Sequence, residues 1–154
     1  MRRVMRPLLF ALFALTLGGS SALAANMSMP PLPPQPKVHP AGIPANFMLV
    51  SPCIPGMGEH WANLKAGVHG TQIYGTYKGK PIFTEIMLTQ KDFATGKSFT
   101  DTLKPLPGYA IDHVDIEFLP HGHPGMTYPH YDIHGYYVPH SVHTKFCPGP
   151  MPRM

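Results

Sequence analysis

Apolar and polar positions alternate with a period of two along several stretches of this chain, the signature of β-strands. In residues 82–88, Phe83, Glu85 and Met87 share one face, while Ile82, Thr84, Ile86 and Leu88 share the other. A second strand pattern lies just upstream, so Lys78-Gly79-Lys80 reads as the turn of a hairpin. Residues 110–120 alternate as cleanly: Val114, Ile116 and Phe118 point one way, and His113, Asp115 and Glu117 the other. This predicts a half-buried strand whose polar face looks outward. Residues 129–139 carry Tyr131, Ile133, Tyr136, Tyr137 and Val138 between two prolines, again favouring strand.

Between these stretches the punctuation is dense. Residues 47–53 read as a short apolar strand ended by Pro52, and residues 53–67 as a Gly/Pro loop that delivers Glu59, His60 and Trp61. One helix is expected, over 90–95: Thr89 can cap it, Asp92 sits in its first turn and Gly96 stops it. Residues 121–129 form a turn-rich loop, and residues 141–147 close the domain. Roughly five to seven short strands with one short helix predict a mainly β fold, a small antiparallel barrel or sandwich.

The two ends differ from this body. Residues 1–24 place Arg2, Arg3 and Arg6 ahead of a short apolar run and an Ala22-Leu23-Ala24 site, the pattern of a secretory signal peptide. The run is shorter than the roughly 20 residues of a membrane span. The expected location is therefore periplasmic or secreted, with no membrane span once the signal is removed. Residues 25–46 are a Pro-rich arm, residues 47–147 a single β domain and residues 148–154 a C-terminal tail. Beyond the signal, nine Lys and Arg face eight Asp and Glu, so no basic stripe for nucleic acid remains. Cys53 and Cys147 are the only cysteines, and an oxidising compartment predicts that they are bridged, tying the first strand of the domain to its last.

Ten histidines, all past the signal, carry the chemistry. His130, Asp132 and His134 share one face of a strand, with neighbours about 7 Å apart and the two histidines about 13 Å apart. Two imidazoles at that distance cannot share an ion. A shared site needs a bulge near Gly135 or a helical turn from Pro129 to Gly135; otherwise one histidine ligates with Asp132 alone. Further ligands are His60, beside Trp61; Glu85, a lone carboxylate in an apolar strand; and His123, from His121-Gly122-His123. Single histidines such as His39, His69 and His140 read as surface or hydrogen-bonded residues. Nucleophile elbows, phosphate loops and haem motifs are absent from the sequence. Any catalysis would use a metal-bound water, with Glu59, Glu85 or Asp132 as base.

Residues 56–61 (GMGEHW), 83–85 (FTE), 122–124 (GHP) and 129–137 (PHYDIHGYY) resemble an uncharacterised family of small exported bacterial proteins, a domain of unknown function. The resemblance spans roughly residues 50–140. It implies a mainly β domain in which His60, Glu85, His123, His130 and His134 belong together, and it implies no reaction. Gly135 stands where that family carries an aromatic, which predicts looser packing around His134. The leading reading is a divalent transition-metal site, for Zn, Fe, Ni or Cu, built from His130, His134, His60 and Glu85 with Asp132 or His123 behind them. One alternative is a non-catalytic envelope protein, possible as a homo-oligomer, with structural or pH-responsive histidines. Another is a copper-handling protein using His with Met27, Met29 and Met57.

Overall fold

The computed structural model describes residues 31–150. The expected signal peptide lies outside them, as do Met27, Met29 and the last four residues. Six antiparallel strands form one sheet in the order β1-β2-β3-β4-β6-β5. They are β1 (Met48–Leu49), β2 (Glu59–Ala62), β3 (Ile73–Tyr77), β4 (Lys80–Thr89), β5 (His113–Leu119) and β6 (His130–Tyr136). Two short helices, α1 (Gln90–Ala94) and α2 (His140–His143), accompany them. The fold is thus mainly β and antiparallel, with an open sheet whose edges are β1 and β5. Among the described residues no helix is long and apolar enough to cross a membrane.

Local chemistry accounts for the elements. The β3–β4 hairpin turns through Lys78 and Gly79, both at positive φ, the two-residue turn that matches strand twist. The α1 helix is started by a full capping box, in which the Thr89 side chain accepts from the Asp92 amide and the Asp92 carboxylate accepts from the Thr89 amide. Asp92 also meets His69 Nε2 at 2.6 Å and Lys97 Nζ at 3.2 Å. Its carboxyl is held below the usual range, first by the Thr89 hydroxyl and against the smaller effect of burial.

Pro81 to Leu88 of β4 are buried on both faces. On the back face, Thr84 Oγ1 donates to the Lys104 carbonyl at 2.9 Å, and the Tyr137 hydroxyl accepts from the Leu106 amide at 3.0 Å. These bonds seat the segment before β5 over the sheet. The proline-rich residues 31–46 also pack on the body: the Gln35 side chain both donates to the Leu49 carbonyl and accepts from its amide, at 2.9 Å each. Ile43 joins Leu49, Trp61 and Leu106 in one apolar cluster.

Three expectations are corrected. Residues 59–62 are strand β2 rather than loop, because they pair with β1 and β3 at once. Residues 140–143 form α2, and among the described residues no strand follows β6. Most consequentially, β5 is inverted: Val114, Ile116 and Phe118 are exposed at 47%, 64% and 43%, and His113, Asp115 and Glu117 face the covered side. Among the described residues, nothing covers the back face of this edge strand enough to bury those side chains. Its front face is fixed by register against β6, with Asp115 opposite His134 and Glu117 opposite Asp132.

One close approach shapes the front face. A Cβ on Gly75 would overlap the Phe83 ring, which lies across that position. Phe83 thereby wedges between His60 and His134, with ring centroids 5.0 and 4.9 Å away. Gly75→Val is expected to displace Phe83 and cost about 1–3 kcal/mol in urea unfolding. An unchanged midpoint would contradict this packing.

Cys53 and Cys147 are bridged, across a sequence separation of 94. Loop closure of that length stabilises by about 4–5 kcal/mol on the chain-entropy model. Denatured, unreduced protein should show no titratable thiol. The Cys53→Ser/Cys147→Ser variant should lose stability on that scale.

Candidate metal centres

β6 pairs on both sides without a register shift, so it is straight from His130 to Tyr136. The bulge and the helical turn that would let His130 and His134 converge do not form. His130, Asp132 and His134 instead point to the same covered face and join different partners. His134 meets His60 and Glu85, and His130 and Asp132 meet His123.

In the first group, Glu85 of β4 lies opposite His134 in register. His60 reaches across Gly75 from β2, the residue between it and Phe83 in the ladder. Glu85 Oε2 lies 3.7 Å from His60 Nε2, and Oε1 lies 3.5 Å from His134 Nε2. In the second group Asp132 Oδ1 is 3.0 Å from His130 Nε2, and Oδ2 is 3.5 Å from His123 Nε2. His123 arrives on a tight turn in which His123 and Met126 exchange backbone hydrogen bonds, with Gly125 inside it at positive φ.

The outer nitrogens set the tautomers. His130 Nδ1 lies 2.7 Å from the Tyr128 carbonyl and His123 Nδ1 2.9 Å from the Pro124 carbonyl. A carbonyl only accepts, so each Nδ1 carries a proton and each neutral ring turns an Nε2 lone pair inward. The Ser51 hydroxyl donates to the Pro52 carbonyl and accepts from His60 Nδ1 at 2.8 Å, with the same result. Metal-binding histidines are oriented in this way, by a partner on the far nitrogen. Against burial, the Asp132 carboxylate raises the His123 imidazole and favours its protonated form, which donates from Nε2.

The inward-facing atoms lack partners. Glu85 Oε2, Glu117 Oε2, His130 Nε2, Asp132 Oδ1 and both His134 nitrogens are buried and make no hydrogen bond among the described residues. His130 Nε2 and Asp132 Oδ1 are close yet misaligned for one. Burial and the charges of Asp132 and Glu117 push the Glu85 carboxyl well above its usual range. Burial opposes ionisation of Asp132 too, but the His123 contact and the surrounding imidazoles hold that carboxyl below its usual range.

All six residues named from the sequence lie on this face, divided between two groups rather than gathered in one. His121 is exposed and joins neither. Glu59 points elsewhere, accepting from Thr76 Oγ1 at 2.9 Å. Met57 packs in an apolar cluster with Ile82, Phe83 and Tyr136. Gly135 lies on the opposite face, where Ile111 and Thr84 close over it, so His134 is fully buried rather than loosely packed. A third group, His113, Asp115, His140 and His143, escapes sequence reading. Its signal was present: His113-Val114-Asp115 repeats the spacing of His130-Tyr131-Asp132, and His140 and His143 stand three apart.

No protein-family model and no curated protein matches the chain. Among solved structures, the chain is similar to the hypothetical protein TTHB210 from Thermus thermophilus, at 24% identity and a TM-score of 0.53. The match covers 61% of this chain and 89% of that one. The likeness is one of fold.

Without metal, this face makes stability pH-dependent. Burial lowers the imidazoles from the ordinary 6.5, His60 to about 3 and His134 to about 4. From 6.5 down to about 4 the unfolded chain therefore binds more protons at these groups, and stability falls as pH falls. Glu85 acts in the opposite sense above its ordinary 4.5, keeping its proton in the folded state, and offsets part of the effect. The urea midpoint of chelator-treated protein should drop through this window, and drop less in His134→Gln. A flat profile would contradict the burial of these imidazoles.

Proposed function

We propose that this protein binds divalent first-row transition-metal ions on the covered polar face of its sheet, at His60–Glu85–His134 and at His123–His130–Asp132. The observation that carries this reading is the patch of buried atoms with no hydrogen-bond partner, contributed by Glu85, Glu117, His130, Asp132 and His134. Leaving one such group unsatisfied costs about 1–3 kcal/mol, more when it is charged. Even with a proton on one His134 nitrogen and on the Glu85 carboxyl, no pair of these atoms is aligned and close enough for a hydrogen bond. A cation satisfies them together.

The donor set supports a borderline metal: two imidazoles and one carboxylate in each group suit Zn, Fe, Ni or Cu(II). Three protein donors leave coordination positions for water or substrate, as in catalytic rather than closed structural sites. Bound metal would supply Lewis acidity and an activated water there. The chain's own residues hold and orient the ion, while the Phe83 ring packs edge-on against both His60 and His134. The leader-like pattern of residues 1–24 and the Cys53–Cys147 bridge support a periplasmic or secreted location. The motifs around His60 and His130 support kinship with the uncharacterised exported family they resemble.

Elemental analysis of tag-free protein after metal supplementation tests this reading. The His130→Ala/His134→Ala variant should carry about two fewer metal equivalents than the parent while keeping its β circular dichroism. Equal metal content in the two proteins would overturn it.

A further inference from the structure

We infer that His113, Asp115, His140 and His143 form a separate, closed four-ligand site for a tetrahedral divalent cation of the zinc type, which fastens α2 to the edge strand β5. The inference does not depend on the two internal groups, since none of their residues takes part.

Geometry carries it. Four donor atoms from two elements converge: His113 Nε2 and Asp115 Oδ2 from β5, and His140 Nδ1 and His143 Nε2 from α2. His143 Nε2 lies 3.3 Å from His113 Nε2 and 3.0 Å from His140 Nδ1. Asp115 Oδ2 lies 3.9, 3.6 and 3.6 Å from the donors of His113, His140 and His143. Bonds of about 2.0–2.1 Å to a tetrahedral ion set neighbouring donors about 3.3–3.4 Å apart. The measured separations straddle that edge length.

The far nitrogens are already engaged. His143 Nδ1 lies 2.8 Å from the Gly56 carbonyl, and His113 Nδ1 lies 3.0 Å from Asp112 Oδ1. Both partners accept, so both Nδ1 atoms carry protons and both Nε2 atoms present lone pairs. The 3.3 Å contact between those two Nε2 atoms therefore places lone pair against lone pair. A cation between them turns this repulsion into ligation. Histidine oriented by a carboxylate or a carbonyl on its other nitrogen is the usual support of such a site.

The placement assigns the site a structural task. α2 has four residues and no side-chain cap, far below the length at which a helix stands alone. Cross-links must hold it, and the disulfide at Cys147 is one of them. The stack of His143 on Tyr136, at 3.8 Å between centroids, seats the helix against the sheet. The His140 side chain is 67% exposed and that of Asp115 29%, so an ion reaches this group from solvent without unfolding. Four protein donors complete a tetrahedral sphere and leave no position for substrate.

The test uses tag-free, chelator-treated protein in the His130→Ala/His134→Ala background, titrated with Zn²⁺ and, as a spectroscopic probe, Co²⁺. One equivalent of Zn²⁺ should bind, Co²⁺ should give the intense visible bands of tetrahedral coordination, and the thermal midpoint should rise. Adding His140→Ala, an exposed position, should weaken this binding more than about 100-fold and abolish the rise. Asp115→Asn should weaken it as well. Absence of binding in the folded background variant overturns the inference, as does binding that neither substitution alters. Should that background not fold, the same comparison is made between the parent and His140→Ala, where loss of one equivalent is the expected result and equal stoichiometry the overturning one. Loss of the internal ions alone would leave this site standing.

Discussion

The straight, doubly paired strand β6 is the constraint on which the rest depends. Its residues His130 to Tyr136 pair with β4 on one side and β5 on the other. A strand held on both sides cannot bulge without breaking a ladder, so its side chains keep a strict period of two. His130, Asp132 and His134 are therefore forced onto one face at fixed spacing. That face is covered, and its polar groups must find partners from neighbouring elements.

The neighbours answer mostly with acceptors. Glu85 from β4, and Asp115 and Glu117 from β5, are brought beside the histidines by register. Burial disfavours charge on this face, and the neighbouring carboxylates add repulsion, which is why Glu85 favours its neutral form. Cations resolve this in two ways on the proposed reading. The internal groups have three donors each and are more covered, whereas the outer group has four donors and opens to solvent at His140. Tyr136 separates them, its ring stacked on His143 at 3.8 Å and 5.6 Å from that of His134. Open, buried coordination suits chemistry or selective binding, and closed, accessible coordination suits fastening a short helix.

Much of the scaffold was legible in local chemistry. The Lys78-Gly79 turn, the Thr89–Asp92 capping box, the alternation in β4 and the Cys53–Cys147 bridge all depend on near neighbours or on a unique pairing. Among the site residues, Glu85 stood out as a carboxylate in an apolar strand, and it is indeed 2% exposed. β2 was missed because glycine and proline precede it, and its strand character comes from pairing with β1 and β3. The group at His113 and α2 was missed for another reason: alternation identifies two faces of a strand, not which one is covered. Hydrophobicity alone put the wrong face of β5 inside.

Residue order by itself determined that this is a mainly β chain, that His130, Asp132 and His134 lie on one face of a strand, and that a straight strand keeps the two histidines from one ion. These follow from backbone geometry and hold whatever surrounds the strand. Tertiary structure alone decided which residues come to meet them: His60 across Gly75 for His134, His123 on its turn for His130, and α2 for β5. Those partnerships join residues far apart in the chain, and strand order and register determine which of them meet. No local pattern encodes either.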